Sequence, residues 1–254
     1  MFESAACTGG APRLFFATED HTVTIHDLRR AGLAPALDRE GFELRSCASQ
    51  VVDFYDDATI TRVYYPEIES FLTERLGACR VVVFDVTRRS DAESGASNAD
   101  GARQPARRVH VDYTQKSGPQ RVRDVLGAGE AERFARAGAR IVQLNVWRPI
   151  HGPVLRSPLA VADAGSIRPE SLVATDQIFP DRVGEIYHVA YDSRQRWYYV
   201  PRMRSDEVLL IKGWDSLDDG RARFTPHGAF TWALAPPDAP PRESIEVRTL
   251  AVFA

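Results

Sequence analysis

Short extended segments separated by turn residues fill the second half of the chain, and this pattern most restricts the possible folds. The segments are rich in β-branched and aromatic residues, and proline- or glycine-containing turns such as Pro236–Pro241 separate them. They are Arg140–Trp147, Leu159–Val161, Glu185–Tyr191, Trp197–Val200, Val208–Ile211, Arg223–Trp232 and Glu243–Phe253. Many short strands at close spacing are typical of a β-sandwich or a β-barrel.

Two helix candidates interrupt the strands of the first half. Between Thr59 and Leu76, apolar residues recur at spacings of three and four and form one stripe, which Gly77 ends. A β-branched run, Arg80–Val86, then predicts a buried strand. The second candidate helix, Pro119–Ala137, is weakened by glycines in its middle. We expect a mainly β, α+β fold, in which flanking helices cover one outer face of a curled β-barrel. We take residues 1–254 as a single domain.

Two further segments carry local predictions. Arg13–Thr18 and Thr22–His26 are predicted to pair as strands around the polar turn Glu19–His21. The stretch 87–108 has almost no large apolar residue, so we expect a long polar loop there. Loops of this length in compact domains are usually functional or disordered, so it is either a lid over a site or an insertion.

Charge argues against one class of partner. The net charge is −3 and the sequence pI is about 6.1, whereas binding to nucleic acid needs a clear excess of positive charge. Lys116 and Lys212 are the only lysines, so the remaining basic residues are arginines and none is distinguished by type alone. We therefore expect no nucleic-acid partner.

The cysteines and the N-terminus bear on the compartment. Cys7, Cys47 and Cys79 are odd in number and form no CxxC pair, which predicts neither a disulfide framework nor a zinc knuckle. The first residues lack the charge pattern of a secretory signal, and no apolar run approaches the roughly 20 residues that span a bilayer. A cytoplasmic protein with no membrane partner is the expectation.

The pattern His110-x-Asp112, followed far downstream by His227, is the clearest sign of chemistry. In a strand, residues i and i+2 share a face, so His110 and Asp112 can converge on one metal ion while another strand brings His227. Two imidazoles and a carboxylate on one face of the ion are the ligands of non-haem Fe(II) oxygenases. Chance gives about 0.5 His-x-Asp patterns in such a chain, so a surface histidine beside a surface aspartate is the competing interpretation.

The last predicted strand places four polar residues on one face. They are Arg242, Ser244, Glu246 and Arg248. This face is either solvated, or it lines a polar barrel interior where an arginine binds a dicarboxylate and the serine adds a hydroxyl donor.

Five runs together resemble a known family. They are HVDY at His110–Tyr113, NVWRPI at Asn145–Ile150, KGWDS at Lys212–Ser216, PHGAF at Pro226–Phe230 and RESIEVR at Arg242–Arg248. In this order they resemble the hydroxylase/desaturase family typified by aspergillic acid hydroxylase and the cephamycin C-7 methoxylation components, which is related to Fe(II)/2-oxoglutarate dioxygenases. The resemblance covers roughly residues 10–254, and the second and fifth runs are far more specific than His-x-Asp.

The resemblance implies a double-stranded β-helix, the cupin-like jelly roll, with iron at its mouth. His110, Asp112 and His227 match the family's metal triad. Arg242 with Ser244 matches the Arg-x-Ser pair that binds the distal carboxylate of 2-oxoglutarate in related oxygenases.

The assignment of the 2-oxoglutarate arginine has an alternative. A regular hairpin centred near Asp238 would bring Arg248 close to His227 and make Arg248 the clamp instead. Asn145 and Trp147 share a strand face, and they either line the 2-oxoglutarate pocket or belong to the ordinary core.

Four residues are candidate substrate contacts. Tyr113 follows the metal strand directly, and Arg148 lies within the NVWRPI run. Tyr198 and Met203 belong to an aromatic segment that either lines a substrate mouth or packs as an ordinary strand end.

The expected activity follows from the resemblance. It implies an oxidoreductase, an Fe(II)/2-oxoglutarate-dependent dioxygenase, that uses O₂ to hydroxylate, desaturate or cyclise a small amino-acid-like or peptide-derived natural product in secondary metabolism, as in antibiotic biosynthesis. One alternative is an iron-dependent oxidase that takes its electrons from the substrate instead of 2-oxoglutarate. Another is a non-catalytic β-barrel that binds a ligand and no metal. The oligomeric state is left open.

Overall fold

The computed structural model describes residues 1–3, 13–180 and 182–254, and their strands form two sheets. In chain order the strands are β1 (Phe2–Glu3), β2 (Arg13–Leu14), β3 (Ile25–Asp27), β4 (Phe42–Ser46), β5 (Arg80–Ser90), β6 (His110–Val111), β7 (Arg140–Pro149), β8 (Leu159–Ala162), β9 (Leu172–Ile178), β10 (Val183–Val189), β11 (Trp197–Tyr199), β12 (Glu207–Asp215), β13 (His227–Ala229) and β14 (Glu243–Phe253). One sheet has the order β2-β1-β9-β10-β6-β13-β8-β11-β3, and the other has the order β4-β12-β7-β14-β5.

Three helices flank the sheets. Helix α1 runs through three consecutive segments, Asp57–Thr59, the π-helical Ile60–Tyr64, and Tyr65–Leu76. Helices α2 (Ser117–Leu126) and α3 (Ala128–Arg136) follow β6. Short 3₁₀ turns lie at Ala164–Ser166 and Pro169–Ser171. The prediction of a mainly β barrel with flanking helices is confirmed.

The central strand β7 explains how the five-stranded sheet buries both faces. Leu144 and Val146 join one apolar cluster with the buried face of α1. Asn145 and Trp147 alternate with them and point toward the nine-stranded sheet, where Trp147 packs with Leu159. The α1 residues in the first cluster are Ile60, Tyr64, Ile68 and Leu72. One face of the sheet is thus closed by a helix, and the other forms the barrel interior.

Several predicted bounds are corrected by the structure. Strand β5 continues beyond Val86 to Ser90, because β14 offers it a partner along its whole length. Only His227–Ala229 of the predicted strand Arg223–Trp232 pairs, whereas β12 extends well beyond Val208–Ile211. Strands β4 and β9 escaped prediction, since neither segment is apolar enough to stand out from its surroundings.

The predicted N-terminal hairpin is wrong. Arg13–Leu14 pairs with β1, and Ile25–Asp27 pairs in parallel with β11. The turn at residues 19–21 has no glycine to favour a tight reversal. The first segment pairs instead with the strand that precedes it, and the second pairs with a strand far along the chain. Cys7 lies outside the described residues, while Cys47 and Cys79 are free thiols.

The second helix candidate is two helices. Gly127 ends α2 and begins α3 with φ +83° and ψ 149°, a conformation that a residue with a side chain rarely adopts. The two helices therefore fold back over the barrel end where Tyr113 and Trp214 are buried.

The hairpin that would favour Arg248 as the clamp is not formed. Strand β13 pairs with β6 and β8 in the nine-stranded sheet, whereas β14 lies in the five-stranded sheet. The proline-rich connection therefore crosses from one sheet to the other. None of the helices within residues 1–3, 13–180 and 182–254 is both long and apolar enough to cross a membrane.

Two helical glycines provide a matched test of this packing. A Cβ on Gly118, the second residue of α2, would lie 2.5 Å from the Trp214 ring, while a Cβ on Gly129, the second residue of α3, would meet nothing within 4 Å. We expect Gly118→Ala to destabilise the protein by about 1–3 kcal/mol through overpacking. Gly129→Ala should be neutral or stabilising by up to about 1 kcal/mol. Urea unfolding of both variants measures this, and equal effects would contradict the close approach of α2 to β12.

Candidate metal centre

Neighbouring strands bring the predicted triad together. His110 in β6 and His227 in β13 are directly opposite each other in the ladder, and their ring centroids are 4.6 Å apart. Asp112 follows the end of β6, and its carboxylate oxygens lie 3.8 Å from Nε2 of each histidine. The donor atoms of the three residues all lie within 4.8 Å of one another. The side chains therefore enclose a single point, as metal ligands do.

Backbone carbonyls fix both imidazoles in the tautomer that a metal requires. Nδ1 of His110 is 2.8 Å from the Arg108 carbonyl oxygen, and Nδ1 of His227 is 3.1 Å from the Thr225 carbonyl oxygen. A carbonyl oxygen only accepts, so each Nδ1 carries the proton and each Nε2 presents a lone pair to the centre. Burial, together with the neighbouring His227, lowers the pKa of His110 to about 3, which keeps its ring neutral.

Asp112 is held as a carboxylate by its neighbours. Burial opposes its charge, but the Arg248 guanidinium, both histidines and a hydrogen bond from Asn145 hold its pKa below the usual range. Arg248 Nη2 lies 3.3 Å from Oδ1, and the Asn145 amide donates to Oδ2. Two neutral imidazoles and one carboxylate are the donor set that suits a non-haem Fe(II) ion. The residues present thus fit the predicted metal.

A small cavity, open to solvent, adjoins the triad. Its walls include His110, His227, Trp147, Arg242, Glu246 and Arg248. The polar face of β14 is therefore turned into the barrel rather than toward solvent. Of the two interpretations of that face, the structure therefore supports a polar barrel interior and not a solvated surface.

The Arg242 guanidinium is buried and has no ion-pair partner among the described residues, although the Arg242 backbone N–H donates to Asp91. It is 3% exposed, its Nη1 donates to the Ser157 carbonyl oxygen at 3.1 Å, and its guanidinium lies 5.5 Å from the Trp147 ring centroid. Its Nε has no hydrogen-bond partner in the described part of the chain. Burial lowers its pKa to about 10, so it remains charged at neutral pH. A buried, charged and unpaired arginine in a cavity wall is suited to receive an anion.

Arg248 is already engaged. Its guanidinium nitrogens lie 2.5 Å from Asp85, 3.2 Å from Glu246 and 3.3 Å from Asp112. It therefore has carboxylates on several sides, and it differs from Arg242 in having no unpaired charge for a ligand.

Comparisons with known proteins agree with this site. A family model described as "Oxidoreductase/YMDC permease-like domain" matches residues 3–253. The hydroxylase/desaturase efuI of Hormonema carpetanum is 32% identical, with 97% of this chain and 88% of that protein covered. The Fe(II)/2-oxoglutarate-dependent dioxygenase nvfI of Aspergillus novofumigatus is also 32% identical, with 95% and 86% covered. The solved iron and alpha-ketoglutarate-dependent endoperoxidase NvfI superposes with a TM-score of 0.82 at 31% identity, over 92% of this chain and 86% of that chain.

The chain belongs to the hydroxylase/desaturase family. The resemblance drawn from five sequence runs is thereby confirmed, and so is the jelly-roll fold that the resemblance implied. In this member of the family, the nine-stranded sheet provides both histidines and the five-stranded sheet provides the arginines of β14.

The remaining residues predicted to bind the cofactor lie near this cavity but make different contacts. Trp147 forms part of its wall. Asn145 is fully buried and contacts Asp112 instead. Ser244 is buried, and its hydroxyl donates to the Arg89 carbonyl oxygen at 3.4 Å.

The four predicted substrate contacts do not line this cavity. Arg148 points away from it, because its side chain leaves the opposite face of β7, lies over the Phe54 and Tyr64 rings and donates to the Cys47 carbonyl oxygen. Each of the others belongs to an apolar cluster. Tyr113 packs with the Trp214 cluster, while Tyr198 and Met203 pack with the Phe42 cluster. Met203 lines a second, small and apolar cavity, which Trp147 also borders.

One charged residue of the cavity wall was missed from the sequence. Arg89 lines the cavity and donates to the Gln104 carbonyl oxygen at 2.8 Å. The sequence prediction ended β5 at Val86 and placed Arg89 in a loop. Had the alternation of β5 been continued from Asp85, it would have placed Arg89 on the same interior face.

The polar segment after β5 is an ordered wall of the cavity. Asn98 ties it to β5, because its side chain accepts from the Arg88 backbone N–H and donates to the Arg88 and Ala96 carbonyl oxygens. Further along, the Ala106 carbonyl oxygen accepts from the Ala229 backbone N–H, which joins the segment to the end of β13. Ala106 itself lines the cavity.

We expect Asn98→Ala to loosen residues 91–107. The change removes three hydrogen bonds and leaves the Arg88 N–H without this partner, which costs about 1–3 kcal/mol locally. Hydrogen exchange followed by mass spectrometry should show faster exchange confined to this segment. Ser94→Ala is the control, since the Ser94 hydroxyl contacts only the adjacent Gly95 carbonyl oxygen. Unchanged exchange in the Asn98 variant would show that the segment is held by other contacts.

Proposed function

We propose that this protein is a non-haem Fe(II)/2-oxoglutarate-dependent oxygenase that uses O₂ to oxidise a small molecule in secondary metabolism. The observation that carries the proposal is the convergence of His110, Asp112 and His227 next to the unpaired Arg242. The names of the relatives, which include hydroxylase/desaturase and Fe(II)/2-oxoglutarate-dependent dioxygenase, support the same cofactors. The bare barrel without metal, the third possibility, does not account for three converging donors.

His110 and His227 would bind Fe(II) through Nε2, and Asp112 would bind it through a carboxylate oxygen. When bound, iron, 2-oxoglutarate and O₂ together supply the oxidising power, and 2-oxoglutarate leaves as succinate and CO₂. Because the protein would supply only these three ligands, 2-oxoglutarate and O₂ could also bind the ion. The protein keeps the His110 imidazole neutral and the Asp112 carboxylate ionised, so neither donor needs to lose a proton before it binds the ion.

Arg242 would bind the distal carboxylate of 2-oxoglutarate. Its guanidinium is buried, unpaired and supported from one side by Trp147, so little side-chain freedom remains to be lost when the anion binds. Arg248 is the weaker candidate because a new carboxylate would have to compete with Asp85, Asp112 and Glu246. Ser244 lies between Arg242 and Glu246 on β14 and would add a hydroxyl at the base of the pocket.

The type of oxidation is inferred from the relatives in the family. Relatives carry the names hydroxylase/desaturase and endoperoxidase, so one iron site serves several outcomes within the family. We propose hydroxylation or desaturation for this chain, with an amino-acid-like or peptide-derived substrate and a cytoplasmic location as further predictions. We also propose that the whole chain works as one oxygenase domain, in which residues 91–108 act as a lid over the cavity that they border.

The metal half of the proposal is tested by removing one donor. Purified wild-type protein should bind one Fe(II) under anaerobic conditions and convert 2-oxoglutarate to succinate when a substrate is present. Asp112→Ala should lose nearly all of both properties, because two imidazoles alone bind the ion weakly. Metal analysis and a succinate assay measure this. A wild-type protein that binds no iron refutes the proposal, and turnover that needs no 2-oxoglutarate favours the oxidase alternative.

The 2-oxoglutarate half is tested with two buried arginines. Arg242→Met should raise the Kd for 2-oxoglutarate about 100-fold or more, because a charge-assisted bidentate contact is lost. Arg148→Met is the matched control, since Arg148 is equally buried but lies on the far side of β7, and its Kd should stay within about twofold of wild type. Calorimetric titration in the presence of Mn(II) measures both. Equal Kd values for wild type and Arg242→Met would show that another residue binds the carboxylate.

A further inference from the structure

The three candidate ligands differ in the groups that fix the orientation of their side chains. Each histidine is anchored by a backbone carbonyl of its own neighbourhood, Arg108 for His110 and Thr225 for His227. Asp112 lies one residue beyond β6, a strand of only two residues, so the ladder does not fix its carboxylate. A free carboxylate rotates and binds a metal through one oxygen or both. Something else must therefore set its orientation.

The opposite sheet contacts both oxygens of Asp112. Arg248 in β14 and Asn145 in β7 are direct partners in the five-stranded sheet. Arg248 Nη2 approaches Oδ1 at 3.3 Å, while the Asn145 side-chain amide donates to Oδ2. Gln143 donates from Nε2 to Asn145 Oδ1 at 2.6 Å, which turns the Asn145 amide nitrogen toward Asp112. The carboxylate is thus held across the barrel by side chains and not by its own strand.

The charge of Arg248 is balanced by two further carboxylates. A bare guanidinium beside Asp112 would repel a divalent cation and draw the carboxylate away from it. Asp85 and Glu246 lie 2.5 Å and 3.2 Å from the Arg248 guanidinium. With these two partners, Arg248 can orient Asp112 through hydrogen bonding while contributing no net positive charge to the centre.

We propose that Arg248 and Asn145 are positioning residues of the metal centre, which hold the Asp112 carboxylate so that it faces the point between the two histidines. The proposal rests on the proposed function, because it presumes that the triad binds metal. It gives Arg248, within β14, a role different from that of Arg242, which directly precedes β14, although both line the cavity. Residues that orient a metal ligand by hydrogen bonding typically change metal affinity 10–100-fold when removed.

The test measures metal binding in the absence of 2-oxoglutarate. Arg248→Met and Asn145→Ala should each raise the Kd for Mn(II) about 10–100-fold. They should also change the visible absorption spectrum of the Co(II)-substituted protein, because the spectrum reports the geometry of the donors. Arg242→Met is the control: it should keep the wild-type Mn(II) Kd and Co(II) spectrum, and lose only 2-oxoglutarate affinity.

Arg248→Lys is a second, more conservative variant that keeps the proposal testable if Arg248→Met does not fold. It keeps the charge opposite Asp85 and Glu246 but replaces a planar fork by a single ammonium, which cannot repeat the same set of contacts. Its Mn(II) Kd should lie between those of wild type and Arg248→Met. Circular dichroism of the apo-proteins confirms that each variant is folded before titration.

The outcomes separate the two proposals. If wild type binds Mn(II) and His227→Ala does not, the triad is a metal site, and wild-type Kd values and spectra in both Arg248 variants and Asn145→Ala would then overturn the positioning role. If wild type binds no Mn(II), the proposed function itself fails. A weakened Kd with an altered Co(II) spectrum in the Arg248 and Asn145 variants, against an unchanged Arg242 control, supports the inference.

Discussion

The carboxylate of Asp112 is where the two sheets of the barrel meet, and the site depends on it. Its strand belongs to the nine-stranded sheet with both histidines, while its hydrogen-bond donors belong to the five-stranded sheet. A small change in the distance between the sheets would therefore alter the orientation of a metal ligand. The close packing of Trp147 with Leu159 between the sheets keeps that distance constant.

The two arginines of the barrel interior differ in their ion-pair partners. Arg248 is surrounded by three carboxylates and serves the metal side of the cavity, whereas Arg242 lies over Trp147 without a carboxylate partner among the described residues. Both arginines line the same cavity, yet only Arg242 presents an unmatched charge to an entering anion. Electrostatic pairing, rather than residue type, therefore assigns different roles to two arginines of the same run.

The secondary structure was predictable for those segments whose own sequence of apolar and polar residues determines whether they form a helix or a strand. The bounds of β14 were predicted as observed, and α1 was predicted to within a few residues of its start, because an apolar stripe of helical spacing ends at a glycine there. The interior face of β14 was also visible as alternation. The pairing of the N-terminal strands was mispredicted because Arg13–Leu14 pairs with β1, which precedes it, and Ile25–Asp27 pairs with β11, which lies far along the chain. Arg148 lies on the face of β7 opposite to Trp147, as the alternation of side chains along a strand requires.

The sequence by itself determined the family, the alternating strands and the identity of the three candidate metal ligands, since these depend on residue types and local periodicity. Only the tertiary structure decided which arginine is unpaired, which side chains hold Asp112, and that Arg89 and Ala106 border the cavity. Each of these depends on contacts between strands far apart in the chain. Register and sheet order, which no local pattern encodes, set those contacts.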